Sequence, residues 1–232
     1  MASVSADVNG HAGLHGLLRH FSVEIADSAS ARHEVFQLRH QVYCEERGFE
    51  RGLNGLETDA YDLRAHHVLL RHRSSDQAIG TVRLILPRIG GPGGDLPMES
   101  LADLPRIRSL PRHRLAEVSR FAISKRWRAS EGWNGGQLRL ALVRGLVRLS
   151  TQQDVHYWCA LMEPTLLRLL QRSAIYFHPA GELVEHRGWR QPSYVRVKEM
   201  LARMQQEKPS LWAFIADGSE TAETEPTQEL VA

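Results

Sequence analysis

Six charged residues stand in or beside apolar stretches of this chain: Arg39, Asp59, Asp62, Arg83, Glu117 and Arg120. The densest group lies in Leu115–Ile123, LAEVSRFAI, which reads as a strand carrying Glu117, Ser119 and Arg120 among apolar neighbours. Charge inside a buried strand is costly unless it is paired or used. Two readings follow. The six form a structural ion-pair network, or they form a polar site in which Glu117 acts on a proton. Residues i and i+3 of a regular strand point to opposite faces. Glu117 and Arg120 therefore serve one site only if the strand bulges between them, and bulges gather next to active sites.

Other chemistries find less support. The GGPGG stretch precedes no helix and reads as a flexible loop, not a dinucleotide cradle. EGWNGGQ follows a strand, opens a helix and comes after Lys125, Arg126 and Arg128. Glycines at a helix N-terminus, here Gly135 and Gly136, offer free N–H groups to a phosphate; a plain turn with solvated basic residues is the other reading. His33 and His40 are seven apart with no carboxylate or cysteine to complete a ligand set, so no metal is expected. No serine lies in a GxSxG elbow. Cys44 and Cys159 form no CxxC pair and read as packed thiols in a reducing cytosol.

Several elements must position these residues. Phe21, Val23 and Ile25 alternate as a short strand. Ser28 or Ser30 caps a helix to about Glu46, with Arg39 and Tyr43 four apart on one face. RGFERGLNGLETDAYDLRA is a polar, Gly-rich loop. His67–Arg71 and Ala78–Leu86 form a hairpin around SSDQ, with Arg83 inside the second strand. The connection from Arg88 to Arg114 is long for a compact domain, hence functional or mobile. Asn134 to about Ser150 is an amphipathic helix. Strands at Val155–Leu161, Ile175–Phe177 and Tyr194–Val197 follow, with a helix from Pro164 to about Arg172 between the first two. Glu199–Phe214 is helical with a break at Pro209. Antiparallel hairpins early and βαβ-like spacing late predict a mixed α/β or α+β sheet.

At 232 residues, with 42% apolar and 24% charged content, the chain suits one large domain or two small ones. Residues 1–18 read as a flexible arm, 19–215 as the domain and 216–232 as an acidic disordered tail. A net charge of +2 gives no signature of a nucleic-acid binder. No signal peptide or membrane span is evident, and a cytoplasmic location is expected.

The ordered run Arg39–x–x–Val42–Tyr43, Glu57–x–Asp59–x–Tyr61–Asp62, Gly80–Thr81–Val82–Arg83–Leu84, Leu96–Pro97–Met98–Glu99 and Glu117–x–Ser119–Arg120–Phe121 resembles the acyl-homoserine-lactone synthases. It is still more similar to bacterial acyltransferases of the PEP-CTERM/exosortase system and to N-acyl amino acid synthases. All have the GNAT fold, and the likeness spans roughly residues 20 to 215. The resemblance implies a mostly antiparallel central sheet, splayed between its fourth and fifth strands and flanked by helices. It implies transfer of a fatty acyl group from an acyl-carrier-protein or CoA thioester to the amine of an amino acid or similar acceptor, with no permanently bound cofactor. Glu117, Ser119 and Arg120 would be catalytic. Arg39, Tyr43, Asp59, Asp62, Arg83 and Phe121 would shape the substrate site. Lys125, Arg126, Arg128, Gly135 and Gly136 would meet the phosphopantetheine arm. RASEGWNGG matches the usual CoA loop only loosely, which favours acyl carrier protein as donor and partner. Cys44–Glu45–Glu46–Arg47–Gly48–Phe49 lacks the tryptophan that lactone synthases carry there, which favours an acceptor other than S-adenosylmethionine. A true lactone synthase and a non-catalytic lipid- or carrier-binding module remain alternatives.

Overall fold

The computed structural model describes residues 14, 16–88, 95–128 and 133–216. The GGPGG loop, Glu131 and Gly132 of the second glycine-rich stretch, most of the N-terminal arm and the acidic tail beyond Ala216 lie outside the described residues.

Eight strands form one mixed sheet in the order β1-β2-β3-β4-β5-β8-β6, with β7 pairing to β8. The strands are β1 Phe21–Ile25, β2 Ala65–His72, β3 Gln77–Ile85, β4 Leu115–Ile123, β5 Tyr157–Met162, β6 His178–Pro179, β7 Val184–Glu185 and β8 Trp189–Arg196. Every pairing is antiparallel except β4 with β5. Parallel neighbours need a crossover, and helix α2, Gly135–Gln152, supplies it. The parallel ladder covers only Leu115–Glu117 against Tyr157–Cys159. Beyond it the two strands part, as the resemblance implied.

Helix α2 buries Leu138, Leu142, Leu146 and Leu149 against Val68, Leu70, Val82, Leu84, Ala116 and Trp158 on one sheet face. The approach is close. A Cβ on Gly145 would meet Val68 Cγ1 at 2.3 Å and Val23 Cγ1 at 2.8 Å, so only glycine fits. Helix α1, Ala29–Arg39, covers Leu69 on the opposite face with Val35. Segment 96–110 covers Ile85, Leu115 and Cys159 on that same face through Leu96, Met98, Leu104 and Ile107. The long connection is therefore part of the core. Helix α3, Pro164–Gln171, follows β5, and α4 Val197–Glu207 and α5 Pro209–Ala216 end the fold.

Three sequence expectations need correction. Residues 16–20 are helical, and Leu14 and Leu17 are buried, so packing begins before residue 19. Ile175–Phe177 is not a strand; β6 begins at His178, and the apolar side chains upstream pack as coil. The helix capped by Ser28 changes type: α1 ends at Arg39, and His40–Glu46 continues as a π-helix. Such wider turns recur at functional sites.

Candidate active site

The tension in β4 resolves through a bulge. Thr81 pairs with Ala122 and Arg83 with Ser119, so Arg120 and Phe121 together oppose Val82. Arg120 takes a left-handed conformation, φ +50°. That conformation costs a residue with a Cβ roughly 1–2 kcal/mol. The extra residue shifts the alternation. Leu115 packs on the α1-side face ahead of the bulge, and Ala122 packs on that face beyond it. Arg120 thereby joins Glu117 and Ser119 on one side.

There the six predicted residues do not act alone. With Glu57 replacing Glu117 among the acids, three arginines and three carboxylates close a ring of alternating charge. Arg39 Nε meets Glu57 at 2.5 Å, Glu57 meets Arg120 Nη2 at 2.9 Å, and Arg120 meets Asp59 at 3.3 Å. Asp59 meets Arg83 Nη1 at 2.7 Å, Arg83 meets Asp62 at 2.9 Å, and Asp62 returns to Arg39 Nη1 at 2.7 Å. Asp59 and Asp62 reach the ring by capping a short helical turn, Ala60–Arg64, with the Asp62 side chain accepting from the Asp59 N–H. Arg83 also donates Nε to Ser119 Oγ at 3.0 Å.

Burial pushes the Glu57 and Asp62 carboxyls up, but their arginine partners win. Glu57 falls through Arg39 and Arg120, and Asp62 falls to about 2 through Arg39 and then Arg83. Both carboxyls are therefore held ionised at neutral pH. His67 lies 3.6 Å from Asp62, and burial followed by the charge of Arg39 lowers it to about 3, so it stays neutral.

Glu117 behaves in the opposite way. It is 3% exposed, and its Oε2 accepts from the Met98 backbone N–H at 2.9 Å. Burial raises its pKa to about 8, against the opposing pull of the Met98 N–H and Arg83. The carboxyl is thus poised to exchange a proton near neutral pH, where a general base is most effective. Cys159 faces it across the ladder, and burial holds that thiol well above its ordinary pKa, as expected for packing and not for a nucleophile.

Glu117 opens onto a cavity of about 400 Å³. Pro97, Met98 and Ser119 line it on the α1-side face, and Val143, Leu146 and Trp158 line it on the α2 side. It passes through the sheet where β4 and β5 separate. Leu166, Leu170, Ile175 and Phe177 extend its apolar part. Tyr43 lines it as well, donating its hydroxyl to the Phe121 carbonyl at 3.1 Å beneath the Arg120 guanidinium.

The predicted residues therefore divide. Glu117, Ser119, Arg120, Tyr43, Arg83, Phe121 and Arg128 line the cavity. Arg39, Asp59 and Asp62 stand behind it in the ring, where their charges meet other side chains. The phosphate prediction changes most. Lys125 and Arg126 are exposed and away from the cavity. The Gly136 N–H is taken by the Asn134 side chain at 2.9 Å, in a capping box closed by Gln137, and neither Gly135 nor Gly136 lines the cavity. Arg128 remains, paired to Glu46 at 3.1 Å, with its buried Nε unpartnered among the described residues. Arg139 of α2 joins it on the cavity wall, where burial lowers its pKa. Glu57 and Arg139 were not singled out in the sequence. Glu57 was visible in the motif with Asp59 and Asp62, whereas Arg139 looks like any cation on an amphipathic helix. Among the described residues no cluster of histidine, cysteine and carboxylate could hold a metal.

Residues 38–135 match the acetyltransferase (GNAT) domain family. The AHL synthase LasI superposes with a TM-score of 0.58 at 22% identity, covering 75% of this chain and 88% of that one. BjaI, a CoA-dependent acyl-homoserine lactone synthase solved with SAM and isopentyl-CoA, gives 0.62 at 21% identity, over 81% of this chain and 88% of its own. FeeM, an N-acyl amino acid synthase from uncultured soil microbes, gives 0.57 at 17%, over 79% and 93%. No curated protein matches the sequence. At these identities the structural likeness concerns the fold. The fold is GNAT-like, and the stretch that matches the acetyltransferase (GNAT) domain lies within it.

Proposed function

We propose that the protein transfers a fatty acyl group from a carrier thioester to the amine of an amino acid or similar small acceptor. The observation that carries this reading is Glu117, a buried carboxyl with its pKa near 8, opening onto a cavity that crosses the sheet between β4 and β5. The acyl chain lies along Val143, Leu146 and Leu170. The amine nitrogen attacks the thioester carbonyl carbon and gives its proton to Glu117. The C–S bond then breaks, and the proton passes to the departing thiolate. A positioned base contributes about 10²- to 10⁴-fold. Backbone N–H groups of β4 beyond its pairing with β5 stabilise the oxyanion. Arg120, Ser119 and the ring hold the bulged strand in the geometry this requires.

Arg128 and Arg139 suit the single phosphate of a pantetheine arm, which supports acyl carrier protein as the donor, with CoA the other candidate. The order of motifs supports kinship with the acyltransferases of the PEP-CTERM/exosortase system and action in the bacterial cytoplasm. Among the described residues no helix is long and apolar enough to cross a membrane.

Mass spectrometry of lipid extracts from cells expressing the chain, with Glu117→Gln as control, tests the reading. An N-acylated amino acid absent from the control supports it. An acyl-homoserine lactone instead would establish the second reading, which the likeness to LasI and BjaI favours. Extracts and purified-protein assays showing no product with any amine would refute both.

A further inference from the structure

Glu99 is a buried acid outside both the charge ring and the cavity lining; its side chain is only 1% exposed. A buried carboxylate is costly unless it is paired, and both of its oxygens are taken. Oε1 meets Arg112 Nη1 at 2.7 Å, and Oε2 accepts from Arg112 Nη2 and from the Leu96 backbone N–H, each at 3.1 Å. Such a two-pronged arginine contact fixes orientation as well as charge. Arg112 stands three residues before β4 and also grips Asp95, which Arg64 holds at 3.0 Å. The approach to β4 is thus tied to the covering segment at two points.

By accepting the Leu96 N–H, Glu99 caps the short helical turn Pro97–Ser100. That turn presents the Met98 N–H to Glu117 Oε2 at 2.9 Å, and the other oxygen of Glu117 accepts no hydrogen bond among the described residues. Charged and titratable groups face Glu117 from each neighbouring element: Arg83 on β3, Arg120 on its own strand, Glu99 on the covering segment and Cys159 on β5. Burial is the largest influence on Glu117. The Met98 N–H, Arg83 and Arg120 favour its ionised form, and Glu99 opposes it.

We infer that Glu99 and Arg112 are positioning residues for the acyl transfer: locked to each other, they set how Glu117 faces the cavity and how readily it takes a proton. The inference rests on the acyl-transfer reading and adds to it a pair that touches no substrate. Arg112 holds Glu99, Glu99 holds the turn, and the turn holds one oxygen of the base. The charge of Glu99 acts on that same base through the turn it caps.

The test measures kcat and kcat/KM against pH in the wild type, Glu99→Gln, Arg112→Met and Arg112→Lys. Glutamine keeps the shape of Glu99 and an oxygen for the Leu96 N–H but carries no charge. Glu99→Gln should therefore lower the midpoint of the rising limb, near pH 8 in the wild type, by roughly one pH unit. Arg112→Met should lower kcat and kcat/KM together by roughly 10- to 100-fold, because it frees the turn without touching the cavity, and Arg112→Lys should recover part of the loss. A merely structural pair would cost stability and leave the Glu99→Gln midpoint where it was. A midpoint that stays or rises in Glu99→Gln, or an Arg112→Met loss that is absent or carried by KM, overturns the inference while leaving acyl transfer standing. If Arg112→Met does not fold, the Glu99→Gln midpoint alone decides. If no amine is acylated by the wild type, the acyl-transfer reading fails instead. NMR titration of carboxyl-labelled glutamates, with Glu117→Gln to assign the signal, then reads the same midpoint: a fall in Glu99→Gln upholds the hold of the pair on Glu117, and no fall overturns it.

Discussion

Replacing Glu117 by glutamine separates a catalytic base from a structural acid through pH. Glutamine copies the protonated carboxyl: its oxygen accepts the Met98 N–H and its amide group stands where the acid's proton would be. In the native protein Glu117 ionises near 8, against 4.5 for an ordinary glutamate. Between those values the folded state keeps a proton that the unfolded chain has released, so stability falls as pH rises. At about 1.4 kcal/mol per pH step, the whole interval is worth roughly 5 kcal/mol. That stabilisation is fully present below about pH 4.5, is lost progressively above it, and changes no further past about pH 8. Glu117→Gln carries no such term. Urea unfolding of both proteins should therefore show the variant gaining on wild type by roughly 4–5 kcal/mol between about pH 4.5 and pH 9. Turnover should respond in the opposite sense. The wild-type rate should climb about tenfold per pH step up to about 8 and then level off, because only the ionised base accepts a proton, and the variant should be inactive throughout. A stability gap that ignores pH would show that Glu117 is already ionised in the fold. Wild-type turnover by the variant would remove it from the chemistry. Either result refutes the reasoning.

Asp62→Asn opens the charge ring beside Arg39 and Arg83, and urea melts should show a loss of about 3–5 kcal/mol at neutral pH, as for other broken buried pairs. In the wild type, Asp62 ionises near 2 instead of 3.8, so its contribution of about 2 kcal/mol is present above about pH 4 and lost as pH falls through 2; an acid-unfolding profile without a step in that window would contradict the assignment. Gly145→Ala drives a methyl into Val68 and Val23 and should cost about 1–3 kcal/mol by thermal or urea unfolding. Val143→Phe narrows the apolar part of the cavity and should shift the mass spectrum of products toward shorter acyl chains, whereas an unchanged distribution would place the chain elsewhere.

How much of this was legible in the sequence depends on what kind of signal each feature leaves. Charges inside the apolar run Leu115–Ile123 marked β4 as the centre, and the three-residue spacing of Glu117 and Arg120 named the bulge as a condition. The ring itself was half legible. Five of its six members stood out singly, but its closure needs the pairing of β3 with β4 and the loop that delivers Glu57, Asp59 and Asp62, and neither pairing nor loop path is local. The apolar cavity wall was hidden, because Val143, Leu146 and Leu170 look like any core residues on their helices. Arg139 was hidden for the converse reason: a cation facing a cavity has the same sequence signature as one facing solvent. Composition misled at the N-terminus, where glycine and histidine masked the buried Leu14 and Leu17. At Asn134 a helix start that looked open to phosphate proved to be closed by its own cap.

The passage through the sheet between β4 and β5 has a consequence for traffic. Entering donor and acceptor each need only one side of the sheet, because they are separate molecules. On the proposed reading, the joined product is one thread whose tail lies on the α2 side and whose head lies on the α1 side, with the strands on either flank. On that reading, the product leaves by drawing its greasy end back through the gap. Exit should therefore slow as the tail lengthens, and the enzyme's pace on long chains should be set by unthreading, not by bond making.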